Sequence, residues 1–562
     1  MATIKKILLI ITPTTDFKNT KGDLSQKNTE FIPQPLGLAY LGSVLRTAGY
    51  EVEIFDPHIE VFDQIEKFNK RKMLKSMIST KINNSEYDVI GISSVYIYTY
   101  EWAHYIAKIA KQKSKGIPVV IGGGYPSLLV EKVLSDINID YLVRGEGEVT
   151  FIQLLSFLET ENAEDLKKIE GIAYRLNGEA IFQPRIHYIE KVDDIPFPAW
   201  DLINIEKYML FEGKRRFVLI SSRGCPYACT FCNSHESWGR GFRQRSSENI
   251  LKEIDYLIDK YRAEDLLFVD DNMTVNKKRF MEIVRGIKER NITWQAINVS
   301  SFTTDDEMLM AMKDSGCYQI AIAVESAVPE TLKKMRKPVN LKRSKEIVKF
   351  CRKIGLQCTL FYISGLPYDT KEDMIKTFKF SEEVRADWNQ YSMLVPFPGT
   401  DIFKECIDKG YFIDDELDLS QLTIHNEGFI ETENWNKEWV SQTTYDYNIK
   451  TNFLRNYNLI EDDGDLNAAV DMFEYVVKFH PHHIIAVLCL LFAYNKNGKT
   501  DKKDKMIEKA AVLMKDKNIL KTYGKYLEWD EEVINFYKKN TERITINYEI
   551  DNVMDIINTK DK

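Results

Sequence analysis

Short apolar runs alternate with segments of helical periodicity over the first 190 residues. Five runs have the length and composition of buried strands, and each is followed by a turn: 7–11, 52–55, 89–93, 119–121 and 141–143. Between them, as in 35–45, apolar positions recur with the spacing of an amphipathic helix. Strands separated by helices predict a parallel, doubly wound α/β sheet of flavodoxin-like type.

The carboxyl edge of this predicted sheet carries the first candidate binding residues. Ligands of doubly wound sheets bind beyond the carboxyl ends of the strands. The candidates that follow the third and fourth strands are Ser93, Ser94, Gly122, Gly123 and Gly124. Because glycine has no side chain, three in a row would let a bulky ligand approach the backbone closely.

A second alternation of strands and helices covers 195–415, and past about residue 430 no further glycine-punctuated strand pattern follows. Farther on, 465–498 contains two amphipathic helices joined by a His-Pro turn, which is similar to a tetratricopeptide unit. Fewer than three such units seldom stand alone. We therefore expect this α-helical extension to pack on the preceding region. The pattern predicts three domains, at 1–190, 195–430 and 431–562.

The cysteines of the second region form the most informative motif. Cys225, Cys229 and Cys232 have the spacing C-x3-C-x2-C. Three thiolates at this spacing can bind three irons of a cubane cluster and leave the fourth iron open for substrate chemistry. A zinc site or three buried structural cysteines are the alternatives.

The cysteine motif resembles that of the radical S-adenosylmethionine (radical SAM) enzymes. Further family-like motifs follow it in the family's order: Leu-Phe-Val-Asp-Asp-Asn at 267–272, Ile-Ala-Val-Glu-Ser at 322–326, Ser-Gly-Leu-Pro at 364–367 and Pro-Phe-Pro-Gly-Thr at 396–400. The resemblance covers about 195–415 and implies a partial (β/α)6 barrel whose active site lies at the carboxyl ends of its strands. It also implies a [4Fe-4S] cluster that cleaves SAM to a 5′-deoxyadenosyl radical.

The same resemblance implies the SAM-binding residues. Phe231 would pack near the adenine, and Asp271, Glu325 and Ser326 would hold the amino group and ribose, with Gly365 on the Gly-x-Pro strand. Asp270 shares the strand end with Asp271. Both aspartates have an alternative role as N-caps of the following helix.

The first region resembles the cobalamin-binding domain that precedes many radical SAM enzymes. The cues are Pro-Leu-Gly-Leu-Ala-Tyr-Leu at 35–41, Gly-Ile-Ser-Ser at 91–94, the glycine turn, and Arg-Gly-Glu-Gly-Glu at 144–148. The loop after the first strand lacks the Asp-x-His-x-x-Gly motif that supplies a cobalt ligand, and His58 follows the second strand instead. We interpret His58 as a surface or loop histidine. The alternatives are a sheet that binds nothing or that binds a nucleotide-like ligand.

Composition and cysteine content bear on the binding partners and the cellular compartment of the protein. The net charge of -8 and pI of about 5.7 do not favour nonspecific nucleic-acid binding. We expect no transmembrane segment, and thiolates kept for a cluster indicate a reducing cytoplasm. The other five cysteines are interpreted as core residues. Basic clusters at 240–245 and 333–345 are candidates for contact with an anionic substrate or a reductant, or are solvated helix faces.

The preferred hypothesis is a cobalamin-dependent radical SAM methyltransferase that acts on an unactivated carbon or phosphorus centre of a small molecule. Its electron donor would be a flavodoxin or ferredoxin. The first alternative is cobalamin-dependent oxidation, cyclisation or rearrangement without methyl transfer. The second is a protein that binds cobalamin and uses the cluster as a sensor.

Overall fold

The structure is a computed structural model that describes residues 4–14, 32–64, 70–160, 162–414, 419, 422 and 428–528. These residues form two large sheets, with helices around them, and a helical C-terminal region. Most of the apolar side chains on these short strands are buried, although Leu176 near the first sheet's edge is 49% exposed.

The first sheet has seven strands among the described residues, in the order β2-β1-β3-β4-β5-β6-β7. The strands are β1 Lys6–Ile11, β2 Glu51–Phe55, β3 Val89–Ser93, β4 Val119–Gly122, β5 Tyr141–Val143, β6 Ile172–Leu176 and β7 Glu179–Phe182. The first five are parallel, which confirms the predicted flavodoxin-like arrangement.

The antiparallel hairpin of β6 and β7 was not predicted. Its turn is Asn177-Gly178, with φ of 53° and 87°. This dipeptide is the usual signal for a tight hairpin turn, because both residues tolerate positive φ. The signal was therefore present in the sequence.

The second sheet consists of six parallel strands that follow one another in chain order. A two-stranded antiparallel ladder, β9 with β10, lies between the first two of them in sequence. The strands are β8 Arg216–Leu219, β9 Ser222–Arg223, β10 Arg243–Gln244, β11 Asp265–Phe268, β12 Thr293–Val299, β13 Cys317–Glu325, β14 Gln357–Ser364 and β15 Trp388–Met393. The expected partial (β/α)6 barrel is confirmed.

Helices connect the strands and form the C-terminal region. Their bounds are Leu36–Thr47, Lys70–Asn83, Tyr100–Lys113, Gly124–Leu128, Val130–Leu134, Gly147–Thr160, Ala163–Leu166, Ile205–Glu212, Ser234–Trp238, Ser247–Tyr261, Lys277–Lys288, Asp306–Asp314, Pro329–Lys334, Leu341–Ile354, Lys371–Val384, Asp401–Asp408, Lys437–Ile449, Tyr457–Ile460, Leu466–Phe479, Ile484–Lys496, Thr500–Leu513 and Lys517–Tyr523. In the described part of the chain, none of these helices combines the length and apolar character that crossing a membrane requires.

The C-terminal helices pack on the last barrel strand, as predicted. The Asn452 side chain accepts a hydrogen bond from the Asn389 amide (2.7 Å) and donates one to its carbonyl (2.6 Å). Trp388 meets Phe453 edge-on, with ring centroids 5.5 Å apart. These contacts replace, for β15, the strand neighbour that a closed barrel would provide.

Candidate functional site

The cysteine loop leaves the carboxyl end of β8 and is held by backbone hydrogen bonds to the ends of two later helices of the barrel. The Thr230 amide donates to the Met335 carbonyl, and the Ile402 amide donates to the Thr230 carbonyl, both at 3.0 Å. Gly224 has φ +82°, and a Cβ there would lie 2.3 Å from the Gly241 carbonyl oxygen. The glycine before the first cysteine is therefore required by backbone packing.

The three motif cysteines are free, half-buried thiols. Burial raises the pKa of each thiol, that of Cys229 to about 11, and the nearby ammonium group of Lys337 opposes this shift. No set of three cysteine, histidine or acidic side chains in the described ranges is gathered tightly enough to hold a single metal ion. A cubane cluster is compatible with wider spacing, because each thiolate binds a different iron. Three cysteines in one loop therefore fit the ligand requirement of such a cluster.

Asp270 and Asp271 both bind the cysteine loop, in different ways. The buried carboxylate of Asp270 accepts hydrogen bonds from the Ser221 amide and from the Ser221 and Ser222 hydroxyls. Asp271 accepts from the Ser234 hydroxyl and the Gly224 amide, so it joins the two sides of the loop. The N-cap alternative is wrong for both, because the following helix is capped by Asn276.

Glu325 ends β13 beside the cysteine loop, and Ser326 follows it. Glu325 has φ +66°, and its carboxylate lies 3.2 Å from the Lys337 ammonium. Ser326 is buried, and its hydroxyl accepts a hydrogen bond from the Val328 amide (3.2 Å). Glu325 therefore faces the loop, whereas the Ser326 hydroxyl is engaged in its own turn.

Phe231 and Gly365 differ in their relation to the site. Phe231 is half-buried, and its ring centroid lies 5.9 Å from the Lys337 nitrogen. At Gly365, which has φ +75°, a Cβ would lie 3.3 Å from the Val440 side chain and 3.6 Å from that of Trp435. The Cβ side of Gly365 is therefore filled by the C-terminal region.

Sequence reasoning assigned Lys337 to a basic cluster and missed its position. The helix Pro329–Lys334 ends before it, and Arg336 adopts φ +53°. The carboxylate of Glu325 and the neighbouring thiols raise the pKa of Lys337 although burial alone would lower it. The proline at position 338 was an available signal, because it disfavours helix at Lys337 and so argues against a solvated helix face there.

The candidates at the carboxyl edge of the first sheet serve mainly the packing of one loop on another. A Cβ at Gly123, which has φ +108°, would lie 2.5 Å from the Ser94 carbonyl oxygen, and one at Gly124 would lie 2.3 Å from that of Val95. The Ser94 hydroxyl is fully buried and bonded to Thr99 (3.0 Å).

Ser93 and Gly122 complete this edge. The Ser93 carbonyl accepts a hydrogen bond from the Thr12 amide (3.0 Å), and the Gly122 carbonyl accepts one from the Ser94 amide (2.9 Å). Both residues are half-buried. The structure brings all five predicted residues together, and their role toward a cofactor stays a prediction.

His58 is a buried loop residue rather than a surface residue. It is 2% exposed, its Nδ1 lies 2.9 Å from the Thr14 hydroxyl, and its amide donates to Asp56 (2.8 Å). Burial lowers the pKa of His58 to about 4, despite the opposing charge of Asp56. The imidazole is therefore neutral at physiological pH.

Ion pairs, the central ones buried, join the two carboxyl edges. Arg223, at the root of the cysteine loop, binds Glu146 (2.8 Å) and Glu148 of the 144–148 motif. Arg243 binds the same Glu146 oxygen (2.7 Å). Arg144 pairs with Glu236, just after the cysteines. The motif that marked the first domain thus attaches it to the barrel, and Arg243 is not free to meet a reductant.

Two family models and several known proteins match this chain. The Radical SAM superfamily model matches residues 219–381, and the B12 binding domain model matches 27–155. A protein of Pyrococcus horikoshii, named as an uncharacterized methyltransferase, is 33% identical over 72% of this chain and 83% of its own. The cytidylyl-2-hydroxyethylphosphonate methyltransferase of Streptomyces wedmorensis is 29% identical over 75% and 86%.

Solved structures agree on the fold. The cobalamin-dependent S-adenosylmethionine radical enzyme OxsB has a TM-score of 0.65 at 15% identity, covering 98% of this chain and 82% of its own. The radical SAM methyltransferase TsrM of Kitasatospora setae has a TM-score of 0.60 at 17% identity, covering 74% and 79%. With both domain types present and a relative 33% identical over most of both chains, the protein belongs to the cobalamin-binding radical SAM family.

Proposed function

We propose that this protein is a cobalamin-dependent radical SAM methyltransferase that methylates an unactivated carbon or phosphorus centre of a small molecule. The observation that carries the proposal is the juxtaposition of two carboxyl edges. The cysteine loop, with its acidic neighbours, lies on one edge, and the buried pairs of Arg223 attach it to the edge of a cobalamin-type sheet. Relatives named as methyltransferases support the choice of reaction.

The site residues have distinct tasks in this proposal. When bound, the cluster supplies the electron that cleaves SAM, and cobalamin supplies the methyl group. Asp271 and the backbone around Gly224 fix the cysteine loop, and Glu325 presents a carboxylate to the amino group of SAM. The residues that would hold the cofactors are Cys225, Cys229 and Cys232 for the cluster, Phe231, Asp271, Glu325, Ser326 and Gly365 for SAM, and Ser93, Ser94, Gly122, Gly123 and Gly124 for cobalamin.

A radical cyclisation without methyl transfer is the second candidate. It is favoured by a relative from Rubrivivax gelatinosus, an anaerobic magnesium-protoporphyrin IX monomethyl ester cyclase that is 26% identical over 67% of this chain and 66% of its own. Both reactions would use the same cysteine loop. The fate of the SAM methyl group separates them.

The test begins with protein purified without oxygen, reconstituted with iron and sulfide, and supplied with hydroxocobalamin. We expect stoichiometric cluster and corrinoid, measured by iron analysis, absorbance and mass spectrometry. With methyl-labelled SAM and a low-potential reductant, label should pass to the bound corrinoid. A loaded protein that forms 5′-deoxyadenosine but never labels the corrinoid would favour the cyclase-type reaction, and failure to bind any corrinoid would overturn both.

Three further expectations belong to the proposal. The electron donor would be a flavodoxin or ferredoxin. The compartment would be the reducing cytoplasm, in keeping with eight free cysteines, all within the described residues. The domain bounds 1–190, 195–430 and 431–562 stay predictions, because side chains from all three ranges share one hydrophobic core.

A further inference from the structure

Two residues with positive φ place one ion pair next to the cysteine loop. Glu325 and Arg336 both have positive φ, at +66° and +53°. Such a conformation costs energy in a residue other than glycine, and it persists only where the surroundings enforce it. The first turns the Glu325 side chain off the end of β13, and the second turns the chain after the helix Pro329–Lys334 so that Lys337 comes back toward Glu325.

The Glu325–Lys337 pair contacts the cysteine loop directly. The ammonium and carboxylate are 3.2 Å apart, with side chains 18% and 9% exposed. The Lys337 nitrogen lies over the ring of Phe231. Phe231 stands between Cys229 and Cys232 in the sequence. The Cys229 sulfur lies 3.8 Å from the carbonyl oxygen of Arg336, the residue before Lys337.

We propose that Lys337 is a positioning residue whose half-buried positive charge raises the reduction potential of the cluster, and that Glu325 partly cancels this effect. Adding an electron makes a cluster more negative, so a nearby cation stabilises the reduced form. Half-buried charges are screened less by solvent and salt than exposed charges. The inference rests on the proposed function, because it requires that the three cysteines hold a cluster.

The test is a potentiometric titration of the reconstituted cluster without SAM, followed by electron paramagnetic resonance. Lys337→Met should lower the ratio of reduced to oxidised cluster at least tenfold at a fixed potential, which corresponds to about 59 mV for one electron. Lys337→Arg keeps the charge and should remain within about threefold of the wild type. Glu325→Gln should change the ratio in the opposite direction.

The control is Lys333→Met, which removes an exposed lysine of the preceding helix and should leave the potential unchanged. Opposite shifts in Lys337→Met and Glu325→Gln support the proposal, because a loosened or solvent-exposed cluster would move both in one direction. Equal or absent shifts in variants that retain full iron would overturn it and leave the proposed function standing. If Lys337→Met cannot hold iron, the Glu325→Gln variant tests the proposal alone. A higher reduction potential in that variant supports it, and an unchanged or lower potential overturns it. A wild-type protein without iron would instead refute the proposed function.

Discussion

The two facing carboxyl edges use their polar residues differently. On the barrel edge, Asp271 and Glu325 present charged groups to the cysteine loop. On the first sheet, the Ser94 hydroxyl and the missing side chain of Gly123 are used where one loop packs on another. A motif of charged and thiol side chains therefore points to chemistry, whereas a serine and glycine motif points first to the path of the backbone.

The largest effect should come from the barrel edge. Cys229→Ala removes one of three cluster ligands, so we expect loss of the cluster and of detectable 5′-deoxyadenosine formation. Iron analysis and mass spectrometry measure both. The matched control is Cys406→Ala, which changes a fully buried cysteine outside the motif and should keep both. SAM cleavage that survives in Cys229→Ala would refute the cluster assignment.

The next largest effect should come from the joint between the edges. Arg223→Met leaves the carboxylates of Glu146 and Glu148 buried with one cation fewer, which costs about 3–5 kcal/mol. We expect the first thermal unfolding transition to occur at a lower temperature and the first domain to become sensitive to protease.

The control for this joint is Arg46→Met, which breaks an exposed pair with Asp201. Exposed pairs contribute about 0–1 kcal/mol, so this variant should resemble the wild type. Equal unfolding temperatures of Arg46→Met and Arg223→Met in calorimetry would show that the buried ion pairs contribute no more to stability than the exposed pair.

The sequence was sufficient for the five parallel strands of the first sheet and for the convergence of the barrel motifs, although the β6–β7 hairpin was not predicted. Apolar runs bounded by turns located the parallel strands, and since parallel strands end at one edge, Asp271 and Glu325 had to lie near the cysteine loop. The role of Asp270 could not be predicted in the same way. Its partner Ser221 is 49 residues earlier, and only tertiary structure brings them together.

Burial was the property that sequence patterns predicted least well. Lys337 belongs to a run of basic residues that resembles a solvated face, and its burial follows from a left-handed turn at Arg336. His58 lies in a polar loop, yet packing of Thr14 and Asp56 encloses it. Each is buried by contacts with residues that are distant in sequence, and Pro338 indicated only that Lys337 does not continue a helix.

A glycine substitution distinguishes the two explanations for the first sheet's edge. Gly123→Ala combines positive φ with a Cβ placed 2.5 Å from the Ser94 carbonyl oxygen, so we expect a loss of more than about 2 kcal/mol. Gly178→Ala has positive φ and open space, and should cost only about 1 kcal/mol. Thermal unfolding and retention of cobalamin are measured together. Loss of cobalamin at unchanged stability would instead indicate that the glycine makes room for the ligand.

The smallest effect concerns pH and His58. Its folded-state pKa of about 4 lies below the ordinary value of 6.5, so the unfolded chain binds a proton more readily. The stability from this group is therefore present above pH 6.5 and is lost as the pH falls toward 4, with a loss of under about 1 kcal/mol by pH 6. Buried His483, with its pKa lowered to about 3, acts in the same direction.

His58→Gln should reduce the slope of unfolding temperature against pH between 6.5 and 4 without removing it, because His483 still contributes. His187→Gln is the control, since that side chain is 82% exposed, and its slope should match the wild type. The absorbance spectrum of bound cobalamin gives an independent measure in the same samples. An unchanged spectrum in His58→Gln agrees with a histidine that supports the loop. A spectrum that changes on substitution would instead identify His58 as a cobalt ligand, and the first sheet's edge would then contain a side chain that takes part in the chemistry.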